Sequence, residues 1–306
     1  METKFSSLID FMAHFKDEVT CQKFFESIRF RKGDYCPLCG FTKIHRFSDG
    51  KRYRCAGCKK DFTIKTKTVF GESKIPLRKW FVAIYLLTTC RKGISSVQLA
   101  KQVGVTQKTA WFMDHRIRKA MKQGKSQLFG TIEVDETYVG GKEHNKHRNK
   151  RVIGARGRNL DTKTPIFGML QRGGEIRASV VPNAKMRTVE QKIVENFQLG
   201  SKIHTDDFVS YDRVKNWYQH ETVRHSLGQY VRDGLIHTNG AESFWALFKR
   251  GYVGIYHWMS PKHMQRYVDE FACRFNTSQQ SFADVFAAMV TSASDSSPLP
   301  YKSLIQ

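Results

Sequence analysis

Three acidic residues stand where they could do chemistry together: Asp135 in TIEVDETYVGG, Asp206 in KIHTDDFVSYD and Glu242 in HTNGAESFWALFKR. Strand alternation puts Ile132, Val134, Glu136 and Tyr138 on one face, and Asp135 on the other beside Glu133 and Thr137. Asp206 follows Ile203 at the C-terminal end of a second strand, where α/β sheets commonly present ligands. Glu242 falls early on a helix, in a stripe with Asn239, Ala246 and Lys249, so Lys249 lies two turns away on the same face. Carboxylate oxygens are hard ligands suited to Mg²⁺ or Mn²⁺. Two such ions could activate a water or 3′-hydroxyl on one side of a phosphodiester and stabilise the leaving oxygen on the other. Lys249 would then hold a phosphate nearby. Each acid also has a plainer reading. Asn239 could cap its helix with Glu242 reaching back to the backbone, and Asp135 and Asp206 taken singly read as surface or turn acids; the set of three is what points to an ion site. His204, His237, His257 and His263 read as phosphate contacts or packing rather than catalysts.

A second constellation precedes them. Cys36-Pro-Leu-Cys39 and Cys55-Ala-Gly-Cys58 are two C-x2-C pairs with 15 residues between them, the spacing of a four-thiolate zinc site. Four thiolates leave no open coordination position, so the zinc is structural. Gly40 and Gly57 are expected to let the backbone bend around it. Cys21, Cys90 and Cys273 read as core thiols.

Between these lies ISSVQLAKQVGVTQKTAWFMDHRIRKAM, in which a helix ends near Val103, turns at Gly104 and restarts at Gln107 with Thr106 as cap, a helix-turn-helix. Val97, Val103, Val105, Ala110 and Ile117 are expected in its core, with Gln107, Lys108, His115 and Arg116 more exposed. Early residues of the second helix, Gln107 and Lys108, would reach a DNA major groove.

Charge names the class of partner. A formal charge of +23 in 306 residues and a pI of about 9.8 point to a polyanion, and nucleic acid is the first candidate. The longest apolar run, Trp80 to Leu87, is too short to span a bilayer. With no signal peptide evident, a cytoplasmic, nucleoid-associated protein is expected, with no membrane partner. The segment from Lys142 to Arg158 carries seven Lys or Arg and one acid. Its Lys142, Arg148, Lys150, Arg151, Arg156 and Arg158 read as phosphate contacts. Trp245, Tyr252, Tyr256 and Trp258 could stack on bases, with packing the commoner role.

The texture of the chain divides it into four parts: N-terminal helices and a zinc ribbon over 1–70, a helical helix-turn-helix region over 71–125, an α/β domain over 126–285 in which strands alternate with helices, and a flexible tail over 286–306.

CPLCG with CAGC, VDETYVGGK, HTDDFVSYD and the stretch from HTNGAESFWALFKR to DEFACRFN together resemble the DDE-type transposases of bacterial insertion sequences that carry a zinc ribbon, a helix-turn-helix and an RNase H-like catalytic domain. The resemblance covers roughly residues 20–276. It implies that Asp135, Asp206 and Glu242 bind two Mg²⁺ or Mn²⁺, and that the protein exposes 3′-hydroxyl ends of double-stranded element DNA and joins them to target DNA. The 35 residues between Asp206 and Glu242, and Lys249 seven after the glutamate, fit that pattern. Some relatives carry Asn in place of the third acid, which keeps Asn239 in play as a ligand, as adjacency keeps Asp207. By analogy a homodimer or larger assembly on DNA is expected. The rival readings are a DNA-binding regulator with a decayed catalytic domain, and an RNase H-like nuclease without strand transfer.

Overall fold

The computed structural model describes residues 5–141, 147–151, 163–206, 211, 213–223, 231–232 and 235–305. They fall into two units, Met1–Lys122 with Gln279–Gln306, and Gln123–Ser278. None of the described helices is long and apolar enough to cross a membrane.

The first unit opens with α1 (Leu8–His14) and α2 (Glu18–Arg29). Ser7 and Asp10 form a reciprocal capping box at α1, and Asp17 caps α2. A three-stranded antiparallel ribbon follows, β1 (Ile44–Arg46), β2 (Arg52–Cys55) and β3 (Asp61–Thr63). Next come α3 (Leu77–Thr89), α4 (Ser96–Val103) and α5 (Gln107–Ala120). Pro76 offers α3 no side-chain cap, and Glu18 of α2 supplies one: its carboxylate accepts from the Leu77 and Arg78 N–H groups at 2.8 and 3.0 Å. α4 ends on Gly104, whose φ of +66° is the left-handed conformation glycine adopts freely, and Thr106 caps α5. This is the helix-turn-helix expected from the sequence.

The expected loose tail is instead a core element. α9 (Phe282–Asp295) puts Phe286 into ring contact with Phe5, Phe11, Phe15, Phe24 and Phe81, at centroid distances of 5.1 to 6.0 Å. Leu299, and Leu304 of α10 (Lys302–Ile305), are buried as well. The first boundary past the α/β domain accordingly falls at Ser278, not after 285. Polar SASDSSPLP reads as tail because its serines dominate, while the apolar face that seats it lies just upstream. Phe286→Ala removes one ring from a six-ring cluster, and the first unit should lose about 3–5 kcal/mol. Denaturant unfolding followed by near-ultraviolet dichroism measures this; a change under about 1 kcal/mol would show that the cluster does not hold the unit together.

The second unit is a mixed five-stranded sheet: β4 (Thr131–Val139), β5 (Thr164–Gln171), β6 (Ile176–Val180), β7 (Lys202–Asp206) and β8 (Gln219–Val223), in the order β6-β5-β4-β7-β8. β4, β5 and β6 are antiparallel neighbours, whereas β7 runs parallel to β4 and β8 parallel to β7. Relabelled from its first strand, the order is 3-2-1-4-5, that of an RNase H-like domain. Alternation sends Ile132, Val134, Phe167, Met169 and Ile203 to one face, under Val189 and Ile193 of α6 (Met186–Asn196). The other face carries Val139, Ile166, Leu170, Ile176 and Ala178 under α7 (Asn239–Gly251) and α8 (Met264–Asn276). Gly168 is bare for a reason: a Cβ there would lie 2.5 Å from Trp245 Cζ2, so α7 lies close over the sheet only where β5 has no side chain.

Candidate active site

The central strands bring the two aspartates together. β4 and β7 pair in parallel with Glu133 opposite His204. Asp135 and Asp206 each come two residues beyond that last pair, on adjacent strands and on one face, the face that α7 covers. The cross-strand partner of Asp135 on the other side is the bare Gly168, which leaves the carboxyl room. Glu242, on the first turns of α7, is close enough for its charge to act on Asp135, as that of Asp206 does. The structure thus gathers Asp135, Asp206 and Glu242 in one neighbourhood.

What seats α7 there is Glu133. Its carboxyl is buried, and Oε2 accepts from the N–H groups of Gly240 and Ala241 at 2.8 and 3.1 Å. Oε1 accepts from Arg172 Nε at 2.8 Å and has His237 Nδ1 3.2 Å away. Thr238 is the N-cap of α7 but makes no capping bond with its side chain. Asn239 is the first helical residue and exposed, not the cap expected in the structural reading of this segment. Glu242 Oε1 lies 3.4 Å from the Thr238 hydroxyl. Lys249 is exposed on α7, about 10 Å along the helix from Glu242 by its rise per residue.

Burial and like charge act on these acids. Burial first, then the charges of Glu136, Asp206 and Glu242, push Asp135 up to about 8, against the pull of the Glu136 N–H on its Oδ1. Glu136, on the opposite face, accepts from the Tyr211 hydroxyl at 2.6 Å and is pushed up to about 7, chiefly by burial. Both carboxyls bind a proton more tightly folded than unfolded, so their contribution to stability is full below about pH 4 and is lost as pH rises through about 7 to 8. Metal-free protein should therefore melt lower at pH 9 than at pH 6, and Asp135→Asn should flatten that slope. Scanning calorimetry at the two values decides it; an unchanged slope in the variant would contradict the assignment.

The cysteine site is compact. The sulfurs of Cys36, Cys39, Cys55 and Cys58 all lie within 4.8 Å of one another, with Cys36 to Cys58 at 3.9 Å and Cys39 to Cys55 at 3.6 Å. Four thiolates about 2.3 Å from one tetrahedral zinc stand about 3.8 Å apart, so the donor set fits the ion. The two knuckles repeat each other. Gly40 N–H donates to Cys36 O and Lys59 N–H to Cys55 O, while Cys36 and Cys55 N–H groups donate to Phe41 and Lys60 carbonyls. Gly40 and Lys59 both take positive φ, +82° and +60°. Lys59, not Gly57, is thus the second bend; Gly57 is needed because a Cβ would press within 2.9 Å of the Phe41 ring. Among the described residues these cysteines form a tighter ligand group than the three carboxylates, which are not all within that 4.8 Å limit.

The basic residues expected to meet DNA divide into several groups. Gln107 and Lys108 are exposed at the start of α5; Gln107 donates to the Ser96 hydroxyl at 2.9 Å and the Lys108 ammonium sits 5.0 Å over the Tyr301 ring. His115 and Arg116, expected on the surface, are buried. Arg116 donates to the carbonyls of Val69, Gly71 and Leu299, pinning three segments of the first unit. Val97, expected in the core, is exposed. Arg148 and Arg151 are exposed beside a 3₁₀ turn, Arg148–Lys150. Lys142, Arg156, Arg158 and Asp207 lie outside the described residues. Trp245 of α7 is buried against the sheet at Gly168 and Tyr256 donates to Glu270 at 2.6 Å, whereas Trp258 is exposed.

Residues 127–276 match the ISXO2-like transposase domain and residues 16–61 the transposase zinc-ribbon domain. The chain is 32% identical over 246 residues to an uncharacterized protein in transposable element ISH50 of Halobacterium salinarum, covering 76% of this chain and 80% of that one. Among solved structures it is similar to a chain of the simian T-cell lymphotropic virus intasome in complex with PP2A regulatory subunit B56 gamma, at 13% identity and a TM-score of 0.27, over 62% of this chain and 65% of that chain, just under two thirds. A chain of the Mos1 strand transfer complex matches at 11% identity and a TM-score of 0.29, over 73% of this chain and 78% of that one. Scores so low carry no argument about either fold or activity. The family matches and the identity over most of both chains do, and with the zinc ribbon and the 3-2-1-4-5 sheet they place this chain among the insertion-sequence transposases with an ISXO2-like transposase domain.

Proposed function

We propose that Asp135, Asp206 and Glu242 are the ion ligands of a DNA cleavage and strand-transfer site. The observation that carries this reading is the parallel pairing of β4 and β7, which puts Asp135 and Asp206 each two residues beyond the Glu133–His204 pair on one face, with the charges of Asp206 and Glu242 acting on Asp135. Acidic groups this near one another and this buried ordinarily repel, and a divalent cation relieves that repulsion. The oxygen-only donor set suits Mg²⁺ or Mn²⁺. A pair of such ions about 3.5–4 Å apart would clamp both the attacking and the leaving oxygen of a phosphodiester. Such ions supply activation of a water or 3′-hydroxyl and stabilisation of the leaving oxygen.

The chain's own residues do the rest. Lys249, exposed two turns along α7, holds a phosphate beside the ions, and Asn239 stands near enough in sequence to assist Glu242. Arg148, Lys150 and Arg151, with Lys142, Arg156 and Arg158, contact the DNA backbone. Gln107 and Lys108 at the start of α5 meet base edges at the element's ends, supported by the zinc ribbon. Double-stranded DNA is the substrate on both sides of the reaction, and joining two ends calls for two copies of the chain or more.

Labelled inverted-repeat ends, a plasmid target and Mg²⁺ test this reading. Joined products from wild type are the expected result. Nicking without joining would make the protein a nuclease, and end binding with neither would leave it a DNA-binding regulator.

A further inference from the structure

We propose that Glu133 is the residue that sets Glu242 against Asp135, positioning the third ligand of the ion site from the strand that carries the first. The inference rests on the reading of Asp135, Asp206 and Glu242 as ligands, and adds to them a residue that binds no ion itself.

Glu133 and Asp135 share one face of β4, two residues and so about 7 Å apart. Gly240 and Ala241, whose N–H groups donate to Glu133, precede Glu242 directly in the first turn of α7. One carboxylate therefore ties the sheet to the helix within a turn of both ligands. The bonds are of the kind that fix a helix end: two of the N–H groups that no helix can satisfy internally meet a negative charge at the positive end of the dipole. No cap on α7 itself competes, since the Thr238 side chain makes no capping bond. Glu133 also has little left with which to hold a cation. Three N–H groups and the His237 ring crowd the lone-pair directions of its two oxygens.

Two neighbours complete the seat. Arg172 forks from Glu133 to the carbonyls of Leu235, at 2.5 Å, and His237, at 2.9 Å, and so fixes the chain as it enters α7. Gly240 lets the helix approach: a Cβ there would overlap Leu170 Cδ2 and come within 2.9 Å of Glu133 Oε2. Among the described residues the same device appears where Glu18 caps α3 from α2.

Glu133→Gln tests the proposal, because an amide turns NH₂ donors toward at least one of the N–H groups it must accept from. In metal-free protein, hydrogen exchange of the Gly240 and Ala241 amides should speed at least about tenfold, and Mn²⁺ affinity by calorimetry should fall at least about tenfold, the range of losses for outer-shell partners. Unchanged exchange at both amides overturns the seat. Faster exchange with unchanged Mn²⁺ affinity overturns the positioning role, since a merely structural cap would loosen α7 without reaching the ions. Should the variant fail to fold, Gly240→Ala displaces the helix from the same seat and is read the same way. Failure of the ligand assignment looks different: Asp135→Asn would then keep wild-type Mn²⁺ affinity.

Discussion

Asp206→Asn should abolish cleavage and joining while the protein binds element ends as wild type does. The carboxylate is expected to supply an ion ligand, and losing several kcal/mol of transition-state charge stabilisation slows a reaction by at least about 10³-fold, a decade for each 1.4 kcal/mol. In the proposed division of labour end binding belongs to the zinc ribbon and the start of α5, and neither includes residue 206. Stability adds a second readout with the opposite sign. Asp206 charge acts on the neighbouring, buried Asp135, so in metal-free protein near neutral pH its removal should leave the melting temperature unchanged or raised. A variant that is dead, binds ends and melts no lower has lost chemistry and not structure. If Asp206→Asn loses end binding in step with activity, the assignment is wrong.

Cys39→Ser should act at the other end of the pathway. The four sulfurs are near-ideally spaced for one zinc, and the ribbon's three short strands bury little apolar surface beyond the Tyr53–Phe62 stack, so the metal supplies much of what folds it. Binding free energies for such sites are about 10–16 kcal/mol in small peptides. The variant should lose its zinc by elemental analysis and at least about tenfold in affinity for inverted-repeat DNA, while the unit over 123–278 keeps its own unfolding transition. Normal zinc content in Cys39→Ser would sink the four-cysteine site. Loss of zinc with normal end recognition would leave the site intact and remove its role in reading DNA.

Much of this is legible in the sequence. The cysteine pairs, the Gly104 turn with Thr106 as cap, and the strands carrying Asp135 and Asp206 depend on local patterns: fixed ligand spacing, one residue in the left-handed conformation, and period-two alternation. What the pattern hides is what a side chain meets from elsewhere in the chain. Arg116 looked like a surface residue by charge and is buried because three carbonyls from Val69, Gly71 and Leu299 converge on it. Phe286 lies six residues before the serines that advertise a tail, and five other rings receive it. β8, with the sequence QHETV, has almost no apolar alternation because it is the edge of the sheet, and only pairing with β7 identifies it.

Glu133 is the most instructive case. Alternation puts it beside Asp135, and two acids at positions i and i+2 of one central strand are unusual enough to mark. Nothing in the neighbouring residues says that its partners are the amides of a helix more than 100 positions away. The alternative reading, with Asn239 as cap, treats that helix as though it had to satisfy its own first turn. Here the sheet does so, through a carboxylate two residues before Asp135.

The most direct measurement is anomalous scattering from crystals of the wild-type protein soaked in Mn²⁺. Two peaks about 3.5–4 Å apart are expected among the carboxylates of Asp135, Asp206 and Glu242, with the loss of at least one in Asp206→Asn. No peak at these residues, or wild-type peaks that persist unchanged in that variant, would contradict the ligand assignment.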